Sequence, residues 1–147
     1  MKRDYTINPS MIAGQPGVIW FYDNPKDVKY FSESTPLDVS ATQCNSSSIC
    51  LWYVSPLVEL SQSPQVQYSL LGEWNKWTAV SQQRFTSIMT DRQNGQATIT
   101  IQGAPDEIIP VLFFHSVLSS ITVNCSISTT SGGEAKITVT TSNIVCS

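Results

Sequence analysis

The chain has 147 residues, 41% of them hydrophobic and 13% charged, with a formal net charge of −3 at pH 7. That length suits one domain with its own core, and the charged fraction is about half the usual one, its place taken by Ser, Thr, Asn and Gln. Binding nucleic acid through phosphates takes clustered Lys and Arg, so eight basic residues against eleven acidic ones exclude nucleic acid as an expected partner.

Residues 1–17 mix polar side chains with Pro9, Gly14, Pro16 and Gly17 and read as an irregular lead-in. The first expected strand covers 18–22 and stops at Asp23, Asn24 and Pro25, a turn signal in which proline removes a ladder donor. Two further strands are expected at 37–42 and 49–54, with Cys44 and Cys50 pinching the loop between them. A strand at 66–71 leads into the polar, turn-like segment 72–77. The stretch 78–89 leaves two readings open, a strand around 84–89 or a short helical turn.

Asn94 and Gly95 mark a hairpin, since both tolerate the positive φ that tight turns demand. Beyond it Ala97, Ile99 and Ile101 alternate with Thr98, Thr100 and Gln102, as on a sheet buried on one face. The run 111–114 has no alternation and reads as a strand covered on both faces. Ile121, Val123, Cys125 and Ile127 share a face, and after the turn at Ser131, Gly132 and Gly133 the matching positions are Ala135, Ile137 and Val139, then Ile144 and Cys146. The expectation is a single all-β domain over 1–147, an antiparallel two-sheet β-sandwich, jelly-roll or immunoglobulin-like, of about eight to nine strands.

Four cysteines allow three disulfide connectivities, and pairing Cys44 with Cys50 and Cys125 with Cys146 joins segments that the strand pattern already brings together. The alternatives are four buried free thiols or a zinc site. A single histidine and the lack of any CxxC pair disfavour zinc, and no metal or cofactor is expected. No membrane span is expected, because no run reaches about 18 apolar residues. The opening residues are not followed by the apolar run of a secretory signal, which leaves a cytosolic chain or a mature domain cut from a precursor. The even cysteine count favours the latter, secreted or at the cell surface. Sequons at Asn45 and Asn124 fit a secretory route.

For chemistry, His115 is the only histidine and no nucleophile motif accompanies it, so it is expected as a hydrogen-bonded strand end at the surface. A glycosidase would need two carboxyl groups, with Glu73 beside Trp74 as acid and Glu59 or Asp91 as partner; a solvated acid or an ion pair with Lys76 is the plainer reading. Asp106 and Glu107 read as a charged loop rather than a calcium site. Trp20 and Trp52, inside apolar runs, are expected to pack.

Trp74 and Trp77 differ, because Gly72, Asn75 and Lys76 make their segment polar. In a turn both rings could face one side and stack on a sugar, with Glu73, Asn75 and Lys76 supplying directed hydrogen bonds; the competing reading has one ring plug the sandwich end. A Ser/Thr-rich β-sandwich with such tryptophans resembles, in general terms, the accessory carbohydrate-binding modules of secreted hydrolases, although no motif is specific to them. The leading expectation is a non-catalytic extracellular domain that binds a glycan and belongs beside neighbouring domains of a larger protein. The rivals are a structural or assembly module of a surface fibre, capsid or adhesin, and a small carboxylate-dependent glycosidase or lyase.

Overall fold

A computed structural model of the chain describes residues 5–11, 16–22, 24–39 and 51–147. The expected Cys44–Cys50 bridge and the Asn45 sequon lie outside the described residues. The chain is all-β, with thirteen strands among the described residues against the eight or nine expected, and it divides into two compact units, 1–57 and 58–147.

The first unit holds β1 (Tyr5–Ile7), β2 (Gly17–Phe21), β3 (Asn24–Phe31), β4 (Leu37–Val39) and β5 (Trp52–Pro56). β2 runs between β3 and β5 in a three-stranded antiparallel sheet, while β1 pairs with β4. Ile19, Phe31 and Leu37 form a small core on which Trp52 and Val54 pack. Cross-strand aromatic pairs bind β2 to β5: Trp20 stacks on Tyr53 with ring centroids 4.5 Å apart, and Phe21 meets Trp52 at 5.0 Å. Both tryptophans therefore pack, as their apolar surroundings imply. β3 was hidden in the sequence because it is an edge strand. Its exposed Lys26, Asp27 and Lys29 blunt the edge against unwanted pairing and at the same time erase the apolar signature of a strand.

The second unit is a sandwich of four successive hairpins that alternate between two sheets. β6 (Val58–Gln62) and β7 (Gln65–Glu73) lie in one sheet, and β8 (Phe85–Asp91) and β9 (Gln96–Gln102) in the other. β10 (Ile108–His115) and β11 (Ser119–Ser126) return to the first sheet, β12 (Glu134–Thr140) and β13 (Ile144–Cys146) to the second. The spatial orders are β11-β10-β7-β6 and β13-β12-β9-β8, antiparallel throughout. The open choice at 84–89 thus resolves as strand.

Between the sheets, Ile99, Ile101, Ile109, Val111, Phe113 and Ile137 are almost completely buried, joined by Tyr68, Leu60 and Ile127. These are the alternating positions of β9, β10 and β12, which is why the pattern could be read: a period of two that buries one face fixes the register. On β10 the intervening Leu112 and Phe114 are buried as well, so that strand is covered on both faces.

Away from the start of β10, three links tie the two sheets together. Cys125 of β11 and Cys146 of β13 form a disulfide across one lateral edge. Tyr68 Oη lies 3.3 Å from Thr90 Oγ1, joining β7 to β8. His115, expected at the surface, is completely buried at the end of β10: its Nδ1 accepts from the backbone N–H groups of Val117 and Leu118 at 3.2 and 3.3 Å, which leaves Nε2 to donate to Thr140 O at 2.9 Å. The ring is a strut between β10 and β12, with both nitrogens occupied and no opening to a substrate.

The Cys125–Cys146 bridge closes a loop of separation 21. Replacing both cysteines by alanine should lower unfolding free energy by roughly 3 kcal/mol. Urea denaturation of the double variant against the oxidised parent measures it.

Candidate functional site

The site is built where a strand is made to misalign. β7 and β10 pair as Phe113 with Leu70 and Leu112 with Gly72, so Leu71 is bulged out of the ladder. Before the bulge, even-numbered Val66 and Tyr68 face the core; after it, Glu73 pairs with Val111 and takes the core-facing side that its odd position would otherwise deny it. Gly72 makes the bulge possible. Its φ is +102°, and a Cβ there would collide with the carbonyl of Ala79.

That carbonyl accepts from Glu73 N at 2.7 Å, and beyond Trp74, whose N–H still donates to Pro110 O at 3.3 Å, the chain loops out of the sheet. Asn75 adopts φ +62°, a conformation asparagine tolerates better than most residues. The loop leaves Trp74 44% and Trp77 71% exposed.

Glu73 itself is 8% exposed, deep at the end of the sandwich. Its charge is met from the opposite sheet by Arg84, just before β8, whose backbone is held by the turn from Ser81: Arg84 N donates to Ser81 O at 3.1 Å and Phe85 N to the same oxygen at 2.8 Å. Arg84 grips two carboxylates. Nε and Nη2 donate to the two oxygens of Glu73 at 3.1 and 3.5 Å, and Nη1 and Nη2 to those of Glu107 at 3.0 and 2.8 Å. Nη1 also donates to Gln102 O at 2.6 Å. Lys76 Nζ lies 3.8 Å from Glu73 Oε1 at the outer rim.

Glu107 reaches Arg84 because its loop folds back on itself. Glu107 N donates to Ala104 O at 3.1 Å and Ala104 N to Glu107 Oε2 at 2.9 Å, with Asp106 at φ +63° between them. The Arg84 hydrogen bond first, and the Ala104 N–H second, hold the Glu107 carboxyl below its ordinary pKa. The hydrogen bonds from Arg84 to Glu107 first, and to Glu73 after it, raise Arg84 against the opposing effect of its burial.

Above this network lies an open depression of about 520 Å³. Trp77, Lys76, Thr78 and Ser81 line one part of it; Glu73, Arg84, Gln83 and Gln102 line the rest. The structure therefore brings together Glu73, Lys76 and Trp77 of the five residues that the sequence grouped. Trp74 is not part of the wall, and Asn75 serves the turn.

The proposed carboxylate partners of Glu73 are elsewhere. Glu59 pairs with Gln67, six residues back along β7, and Asp91 closes the far end of β8. Each offset amounts to roughly 20 Å of strand, against the 5–10 Å or so that a glycosidase pair spans. Arg84, Glu107 and Gln102 were missed, since nothing in the linear sequence joins positions 73, 84 and 107. One signal was available: a glycine inside a strand pattern marks a bulge, and a bulge re-aims the side chain that follows it.

No protein-family model, curated protein or solved structure matches the chain.

Two outcomes follow from this geometry. Gly72→Ala should cost about 2 kcal/mol or more, because it imposes a Cβ on both a positive φ and a close carbonyl; a chevron or urea midpoint measures it. Glu107 has a folded-state pKa below its unfolded one, so the stability it lends is complete above about pH 4.3 and is lost as pH falls through the lowered value. The urea midpoint of the parent should consequently drop more between about pH 5 and pH 3 than that of Glu107→Gln.

Proposed function

We propose that this chain is a non-catalytic carbohydrate-binding domain that seats a sugar ring in the depression at the end of its sandwich, against the face of Trp77. The observation that carries the reading is an indole left 71% exposed beside a concave, hydrogen-bonding surface. A tryptophan placed for packing hides its rings, as Trp20 does at 1% exposure. An exposed indole face next to hydroxyl and amide groups matches the two-sided chemistry of a sugar, with C–H bonds on one side and hydroxyls around its rim.

The Cys125–Cys146 disulfide supports a secreted or cell-surface location, since such bonds persist in oxidising compartments. Among the described residues no helix is long and apolar enough to cross a membrane. Neighbouring domains of a larger extracellular protein would deliver the module to its glycan.

One observation favours a second reading, association with a further protein chain. β8 is an edge strand that exposes Ile88 and Met89 and carries neither Lys nor Pro along its length. Light scattering distinguishes the two: association that grows with concentration favours assembly, and a strict monomer removes self-assembly.

Binding to a glycan array by the non-reduced protein tests the first reading. Trp77→Ala should weaken binding about tenfold or more, equivalent to ~1.4 kcal/mol, with an unchanged thermal midpoint. Trp74→Ala, outside the wall, should weaken it less. No binder on a broad array would sink the proposal.

A further inference from the structure

Resting on that reading of the depression, we infer that it selects uncharged sugar residues, neutral hexoses or pentoses, over uronic and other acidic sugars. An arginine in the wall of a ligand site ordinarily marks a receptor for a carboxylate or phosphate, because its planar fork suits paired oxygens. Here the fork is already full. A guanidinium has five N–H donors, and Arg84 directs one to each of five acceptors: both oxygens of Glu73, both of Glu107, and the carbonyl of Gln102. No donor remains for a ligand anion.

The charges also cancel. Arg84 and Lys76 oppose Glu73 and Glu107, each cation within ion-pair distance of a carboxylate. An acidic sugar entering the depression would approach two carboxylates whose counter-charge is engaged, and would lose its own hydration without gaining a guanidinium in return.

Apart from Lys76 at the rim, whose charge is set against Glu73, what the wall still offers is uncharged. Thr78, Ser81, Gln83 and Gln102 carry hydroxyl and amide groups that both donate and accept, which suits sugar hydroxyls and gives a carboxylate no special advantage. Ser81 Oγ accepts from Arg84 N at 3.2 Å, which leaves its own proton to donate; Gln102 Nε2 donates to Glu134 Oε1 at 2.9 Å, which leaves its side-chain oxygen to accept. The ion network thus shapes the floor of the site and orients Gln102, while the neutral groups and Trp77 meet the ligand.

The test is calorimetric titration of the intact, oxidised protein with matched oligosaccharide pairs that differ only at C6: glucose and glucuronate, galactose and galacturonate, mannose and mannuronate. The neutral member of whichever pair binds should bind about tenfold tighter or more than its uronate, and its affinity should change less than about twofold between roughly 0.05 and 0.5 M salt, where screening lengths shorten severalfold. A uronate that binds as tightly as its neutral partner, or a neutral sugar whose binding falls about tenfold with salt, overturns the selectivity and leaves the carbohydrate reading standing. Binding of none of the pairs removes both. Binding of the neutral sugar that survives in Trp77→Ala would place it outside the depression and overturn the inference by that route.

Discussion

Glu73 points toward the core instead of away from it because a single residue is bulged out of β7, and the end of the second unit is organised around that reversal. A carboxylate in an apolar interior is unstable without a partner, so the bulge creates a demand that Arg84 meets from the opposite sheet. Arg84 in turn recruits Glu107, and Glu107 draws in the loop that carries it. The bulge also sets where the chain leaves the sheet, since the amide of Glu73 is held by Ala79 and the residues after Trp74 are forced outward. Buried ions and exposed indole are two results of one backbone irregularity.

The sandwich has different closures at its two ends. Where β10 begins, the sheets are joined by charge: a guanidinium between two carboxylates, accessible from the depression above it. Where β10 finishes, they are joined by the imidazole of His115, bonded to backbone on both nitrogens and sealed from solvent. The contrast has a physical basis. The charged closure lies beside a concave surface, so a ligand and the framework share one neighbourhood; the closure at His115 is sealed and holds the fold. Hydrogen bonds at the sealed end are protected by the apolar residues around them, whereas those at the open end rely on multiplicity, five bonds from one side chain.

How far the linear sequence foretold this depends on the length scale involved. The alternation at 97–101, 121–127 and 135–139 revealed strands, faces and the Cys125–Cys146 pairing, because a period of two against a buried face is a local signal. β3 and β6 escaped notice as edge strands, the former because its charged side chains interrupt any apolar pattern. Trp77 stood out through the polarity of its neighbours. Arg84 and Glu107 did not, since their meaning arises only when a turn, a bulge and a folded-back loop converge in space. His115 misled for a related reason: a polar residue after an apolar run looks like the strand's exit into solvent, and only the return of residues 116–118 over the ring encloses it.

The disulfide has a mechanical aspect. β13 is three residues long and pairs with β12 alone, so its ladder would peel one bond at a time under tension. Cys146 passes such a pull directly into β11 of the other sheet through a covalent bond. A load passing through Cys146 is therefore shared by both sheets of the sandwich from the outset, and the shortest strand in that unit is not its weakest attachment.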